Sequence, residues 1–253
     1  MSDEPGDGVR LPPGLDILWG RRPVGRRGPR AELDVDRIVE AAVDIANADG
    51  LEAVSMARVA QALGFTTMSL YRHVANKDEL LQLMWNASAR GALEFELDGE
   101  TWRERLLSWA VNQRRAIEEN IWITQLPMAT PPLAPNSLAW VELGLDAMAE
   151  LDAPDGAKLR VLGLISQHAL IDARMLHDER RGKALAEESG VETDYMVLVR
   201  ELADPEVYPH LTRMAEQEPP PDSPESDPAA EYLFDIELIL DGFERLVERS
   251  ATR

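Results

Sequence analysis

Three observations predict an all-α fold. Apolar side chains recur at helical spacing along most of the chain. No stretch alternates apolar and polar residues as a half-buried strand would, and no internal repeat is present. Short polar residues stand where helices would begin, and glycines where they would end.

The elements follow in chain order. Residues 1–31 are rich in Gly, Pro and Arg and read as a flexible, Arg-rich arm with one apolar island at Leu15, Ile17, Leu18 and Trp19. Asp34 is placed to cap a helix in which Val35, Ile38, Ala42 and Ile45 share a face, and Gly50 to close it. Ser55 caps a second helix that turns Val59, Ala60 and Leu63 inward, and Gly64 breaks it. Thr66 or Thr67 opens a third, short helix. Asn76 opens a fourth with a capping-box pattern ending at Glu79. Further helices are expected near 100–119, 136–151, 155–178, 193–203 and 229–249. Prolines forbid a regular helix over 127–135, and residues 218–228 read as a mobile acidic, Pro-rich loop. The organisation expected is the arm 1–31, a domain at 32–92 and a larger helical domain at 93–253.

Composition narrows the chemistry. With 253 residues, 45% of them apolar, the chain can bury a sizeable core. It has no cysteine, which excludes disulfides, thiolate nucleophiles and cysteine-ligated zinc. No long apolar run suggests a membrane span and no signal pattern opens the chain, so the expected address is cytoplasmic. The net charge of −20 argues at first against a nucleic-acid partner. Its distribution argues the other way. Residues 1–91 carry 11 basic and 13 acidic side chains, whereas 92–253 carry 15 and 33. Within the near-neutral part, residues 21–30 hold five arginines and no acid.

The informative segment is SMARVAQALGFTTMSLYRHV, residues 55–74. Two short helices joined by a turn containing Gly64 make a helix-turn-helix. Leu63, Phe65, Leu70 and Val74 would fill the wedge, with Ala60 small at the crossing. Thr66, Thr67, Met68, Ser69, Tyr71 and His73 are left on or near the outer face, able to reach base edges, thymine methyls and phosphates.

The run LGFTTMSLYRHVANKDELL, residues 63–81, resembles the signature of the TetR (tetracycline-repressor-like) family, and the match extends over about residues 33–85. Leu70, Tyr71, His73, Asn76 and Lys77 follow it in order and spacing. The resemblance implies that Tyr71 and His73 contact phosphate or base edges and that Lys77 grips phosphate beside free helix amides. It also implies that Thr67, Met68 and Ser69 read bases and that Arg58 reaches the backbone, with Ser55 and Thr66 at the same surface. The family often has a basic residue where this chain has Ala57, so base preference is less transferable than fold. Arg26, Arg27 and Arg30 would add affinity through an adjacent minor groove.

The resemblance further implies a homodimer on a palindromic operator and a small-molecule effector; the residues themselves call for no cofactor, and no motif in the chain marks a metal site. Two apolar stripes could form the dimer: Leu159 and Leu162 on one helix, and Tyr232, Ile236, Ile239, Leu240 and Phe243 on another. Each stripe could equally face the chain's own core, and spacing does not divide them. The candidate effector pocket comprises Trp102, Trp109, Trp122, Met128, Trp140, His168, Asp172 and Met175. His168 and Asp172, four apart, make a poor metal site by themselves and read as a polar pair. The alternatives are a regulator that is activating or effector-independent, an all-α enzyme, and a helical adaptor. The enzyme reading lacks any HExxH, EF-hand or phosphate-cradling Gly-rich motif.

Overall fold

Local capping dictates where the chain breaks into helices. The computed structural model describes residues 11–12, 14–21, 33–92, 94–126, 133–217 and 227–251. In chain order these form α1 (Leu15–Leu18), α2 (Val35–Asp49), α3 (Met56–Leu63), α4 (Thr67–Leu70), α5 (Lys77–Ser88) and α6 (Trp102–Glu119). Then follow α7 (Pro135–Ala147), α8 (Asp155–Ser189), α9 (Tyr195–Leu202), α10 (Pro209–Ala215) and α11 (Pro228–Ala251). Short 3₁₀ turns occupy Leu51–Ala53 and Ile121–Gln125, and no strand occurs among the described residues.

The expected N-cap side-chain bonds are made, although α5 opens on the Asn76 bond and not on the full capping box expected there. Asp34 accepts from the Arg37 amide at 2.9 Å, Ser55 from Arg58 at 3.2 Å, Thr66 from Ser69 at 3.3 Å and Asn76 from Glu79 at 2.8 Å. A full capping box opens α6. Thr101 Oγ1 accepts from the Glu104 amide, and Glu104 Oε2 accepts from the Thr101 amide at 3.0 Å and the Glu100 amide at 2.9 Å. The Thr101 amide, then the Glu100 amide, hold the Glu104 carboxyl below the usual glutamate range.

Gly64 shapes the turn of the helix-turn-helix. It sits at φ +75°, its amide donates to the Gln61 carbonyl, and the Phe65 amide donates to the Ala60 carbonyl at 2.9 Å. This pair of bonds is a Schellman closure, which needs a left-handed residue at that position. A Cβ at Gly64 would meet nothing within 4 Å, so only backbone strain opposes a side chain there. Gly64→Ala is expected to cost about 1–2 kcal/mol, read as a lower urea midpoint.

The described residues divide into two compact units: those up to Trp109 with those of Arg115–Glu150, and Ala110–Arg114 with those from Leu151 onward. In the first, α2 packs on α3 and α5 through Ile38, Val39, Ala42 and Ala46, meeting Val54, Val59, Ala60, Leu80 and Met84, all buried. The α5 helix is fastened to α7 by polar bonds. Trp85 Nε1–H donates to Ser137 Oγ at 2.9 Å. The Asn136 amide donates to Asn86 Oδ1 at 3.0 Å, and Asn136 Nδ2–H to the Asn86 carbonyl at 2.7 Å. Trp109 stacks on Trp140 with centroids 5.6 Å apart and donates its indole N–H to the Trp140 carbonyl.

In the second unit, α8 and α11 pack along a shared apolar seam of Val161, Leu162, Ile165, Ala169 and Ala173 with Tyr232, Ile236, Leu240 and Phe243. A polar belt crosses this seam. Arg114 Nε–H lies 2.5 Å from Asp172 Oδ2, and its guanidinium lies 4.9 Å from the Tyr232 ring centroid. His168 stacks against Tyr232 at 5.5 Å. The Tyr232 hydroxyl donates to the Ala110 carbonyl at 3.0 Å. The α9–α10 hairpin is tied by Arg200, whose Nε–H and Nη2–H both donate to the Ala215 carbonyl.

Three features depart from the sequence expectation. The apolar island of the arm is not extended: Leu15–Leu18 form a helical turn, because Leu15 finds a buried place. Helix α8 runs on to Ser189 and stops at Gly190, φ +69°. Helix α10, unexpected from sequence, starts at Pro209, where a first-turn proline loses no needed hydrogen bond.

Candidate nucleic-acid interface

Helix α4 is a single turn held between a cap and two anchors. Thr66 caps it, and Leu70 and Val74 are fully buried. Anchoring turns the intervening side chains outward. Met68 is 69% exposed and Tyr71 48% exposed, both turned to solvent. Thr66 is exposed, and Thr67, Ser69 and His73 are half-buried. The Thr66 and Ser69 hydroxyls lie 3.0 Å apart and bond each other, so both oxygens sit on one edge of the turn.

The flanks add charge. Lys77 is exposed on the first turn of α5, next to the Asn76 cap, where helix amides favour an anion. Arg58 is exposed on α3 and paired with Asp49 at the end of α2. Ser55 is consumed by its capping bond. Arg72, exposed beside Tyr71, was not among the expected contacts, and its adjacency to the Leu-Tyr pair is the signal that could have found it. Arg26, Arg27 and Arg30 lie outside the described residues.

Comparison with known proteins decides what this surface belongs to. A family model described as "Bacterial regulatory proteins, tetR family" matches residues 38–84, and one described as "Tetracyclin repressor-like, C-terminal domain" matches residues 96–247. The chain is 33% identical over 239 residues to the HTH-type transcriptional repressor DrrR1 of Streptomyces coeruleorubidus, covering 92% of this chain and 85% of that protein. The chain belongs to the TetR family.

Solved structures agree with this TetR assignment. ActR of Streptomyces coelicolor in complex with actinorhodin superposes with a TM-score of 0.70 at 25% identity, over 86% of this chain and 99% of that one. Apo ActR superposes with a TM-score of 0.69 at 24% identity, over 87% and 99%. The helix-turn-helix of this TetR chain is therefore a DNA-reading element of a transcriptional regulator, and the protein is not an enzyme.

The other expected site residues of this TetR regulator fall in distinct places. Trp109 and Trp122 are fully buried in the first unit, Trp102 and Trp140 are half-buried there, and Met128 lies outside the described residues. In the second unit His168 and Asp172 do not pair with each other. Asp172 bonds Arg114, and His168 Nε2 lies 3.1 Å from Asp235 Oδ2, off the line a hydrogen bond requires. Met175 is 67% exposed. The candidate dimer stripe divides as well. Leu162, Tyr232, Ile236, Leu240 and Phe243 are buried within the single chain, because α8 and α11 pack through them. Ile239 is half-buried and Leu159 exposed. Leu164 and Ile171 on α8, and Leu233, Phe234 and Leu238 on α11, are the exposed apolar neighbours.

Proposed function

We propose that this TetR regulator is a homodimeric repressor that binds a near-palindromic operator and releases it when a small molecule binds. Residues 32–92 read DNA, and 93–253 carry the effector site and the dimer surface. The observation that carries the proposal is the outward set Met68, Tyr71 and Lys77, held rigidly by Leu70 and Val74. A one-turn reading helix covers too few base pairs to specify a site alone, so two copies on half-sites about 34 Å apart supply the missing information. The exposed apolar side chains of α8 and α11, with Leu159 among them, supply a surface for the second copy.

An effector is supported by the actinorhodin complex of ActR and by the indole N–H groups of Trp122 and Trp140, buried and without an acceptor among the described residues. A ligand carrying acceptor oxygens would satisfy such donors once the surrounding side chains yield. Among the described residues no helix is long and apolar enough to cross a membrane. The proposal includes the cytoplasm as the site of action.

The test is a gel shift on DNA from beside the coding region, with stoichiometry by analytical ultracentrifugation. Two chains per inverted repeat, with aromatic small molecules releasing the complex, is the expected result. One chain per duplex, or no binding to any such fragment, would overturn it.

A further inference from the structure

Residues 11–12 and 14–20 lie outside both matched family models, yet they are folded onto the DNA-reading region. Leu15 is 4% exposed. Gly14, at φ +82°, lies so close to α5 that a Cβ there would come within 3.2 Å of the Gln82 Cβ and 3.4 Å of the Glu79 carbonyl oxygen. A cleft between Leu11, Pro12, Gly14 and Asp16 on one side and Ala75, Asn76 and Glu79 on the other marks the same seam. At the far end of α1, Trp19 Nε1–H donates to the Leu133 carbonyl at 2.9 Å, just ahead of α7. Thus α1 touches two places separated by more than fifty residues. One is the first half of α5, which begins with the Asn76 cap and Lys77. The other is the approach to α7, which is itself bonded to the second half of α5.

We infer that α1 is a clasp that sets the position of the phosphate-facing end of α5, with Leu15 and Trp19 as positioning residues for DNA binding. The helix is pinned at both halves: by α7 through Trp85 and Asn86, and by α1 across Glu79 and Gln82. Pinning matters because an anion at a helix N-terminus is held by amides whose direction is fixed only if the helix axis is fixed. Gly14 suits the close approach, since a side chain there would strain the backbone and crowd Gln82 on α5 by a few tenths of an ångström.

The part concerning DNA rests on the operator reading above, so the test has two arms. The first needs no DNA. In the full chain, Leu15→Ala and Gly14→Ala are expected to speed amide hydrogen exchange at residues 79–82 by about tenfold, with α2 unchanged. Leu15→Met restores the protection. Unchanged exchange at 79–82, or loss of protection throughout α2 as well, would overturn the clasp. The second arm reads operator affinity. Leu15→Ala weakens it by about tenfold and Trp19→Phe by about twofold to fivefold, both with an unaltered salt slope. A slope that falls by about one would make the residue a phosphate contact and overturn the positioning role. Failure of the unmodified chain to bind operator would count against the operator reading alone, since amide exchange decides the clasp.

Discussion

Changing Tyr71 and Lys77 together to alanine is expected to lower operator affinity by about a hundredfold, leaving the thermal midpoint unaltered. Each makes a different kind of contact. Tyr71 projects a half-exposed ring from the end of α4, and Lys77 presents a mobile charge on the first turn of α5. A base or phosphate contact of this sort contributes about 1–3 kcal/mol, so two together reach the hundredfold scale. The salt dependence separates them. Lys77→Ala alone should reduce the slope of log affinity against log salt by about one, while Tyr71→Ala should leave it nearly unchanged. Neither side chain is part of the core, so circular dichroism and melting serve as controls. A double variant that binds like the parent would show that α4 and the start of α5 do not face DNA.

Breaking the Arg114–Asp172 pair has the largest effect expected on stability. The side chains are 11% and 19% exposed, and Arg114 also lies over the Tyr232 ring. Removing Arg114 strands the Asp172 carboxylate in a poorly solvated place, a cost of about 3–5 kcal/mol. For a chain of this size, a loss of about 3 kcal/mol lowers the melting temperature by about 6–12 °C. Arg114→Ala should show this fall. Replacing both members with apolar residues of similar volume, Arg114→Met with Asp172→Leu, should recover most of it, because no unpaired charge remains. Equal losses in single and double variants would mean that the pair acts by packing alone.

The helix-turn-helix was legible because its signals are local. Asp34, Ser55, Thr66 and Asn76 each stand at the start of a helix and make the capping bond that their residue type suggests. Gly64 takes the left-handed turn for the same reason. The later helices were harder to bound. The apolar period of α8 ends near residue 178, but its last turns are solvent-facing and charged, held by pairs such as Lys183 with Glu179, so they carry no stripe to read. The α8 and α11 stripes could not be assigned to core or partner because both choices present the same residue types. Only packing shows that Tyr232 and Ile236 are used inside the chain while Phe234 and Leu238 are left outside. The α1 turn was hidden in Gly- and Pro-rich sequence, since its order comes from a distant contact with α5 and not from its own propensity.

Within the proposed operator reading, the pairing of Arg58 with Asp49 bears on how the protein searches a chromosome. A guanidinium already neutralised by its own chain exerts little pull on passing DNA. It changes allegiance only where a phosphate is presented closely enough to outcompete the carboxylate. Such an exchange rewards a correctly seated complex more than a glancing one, and so widens the gap between lodging on the right site and lingering on a wrong one.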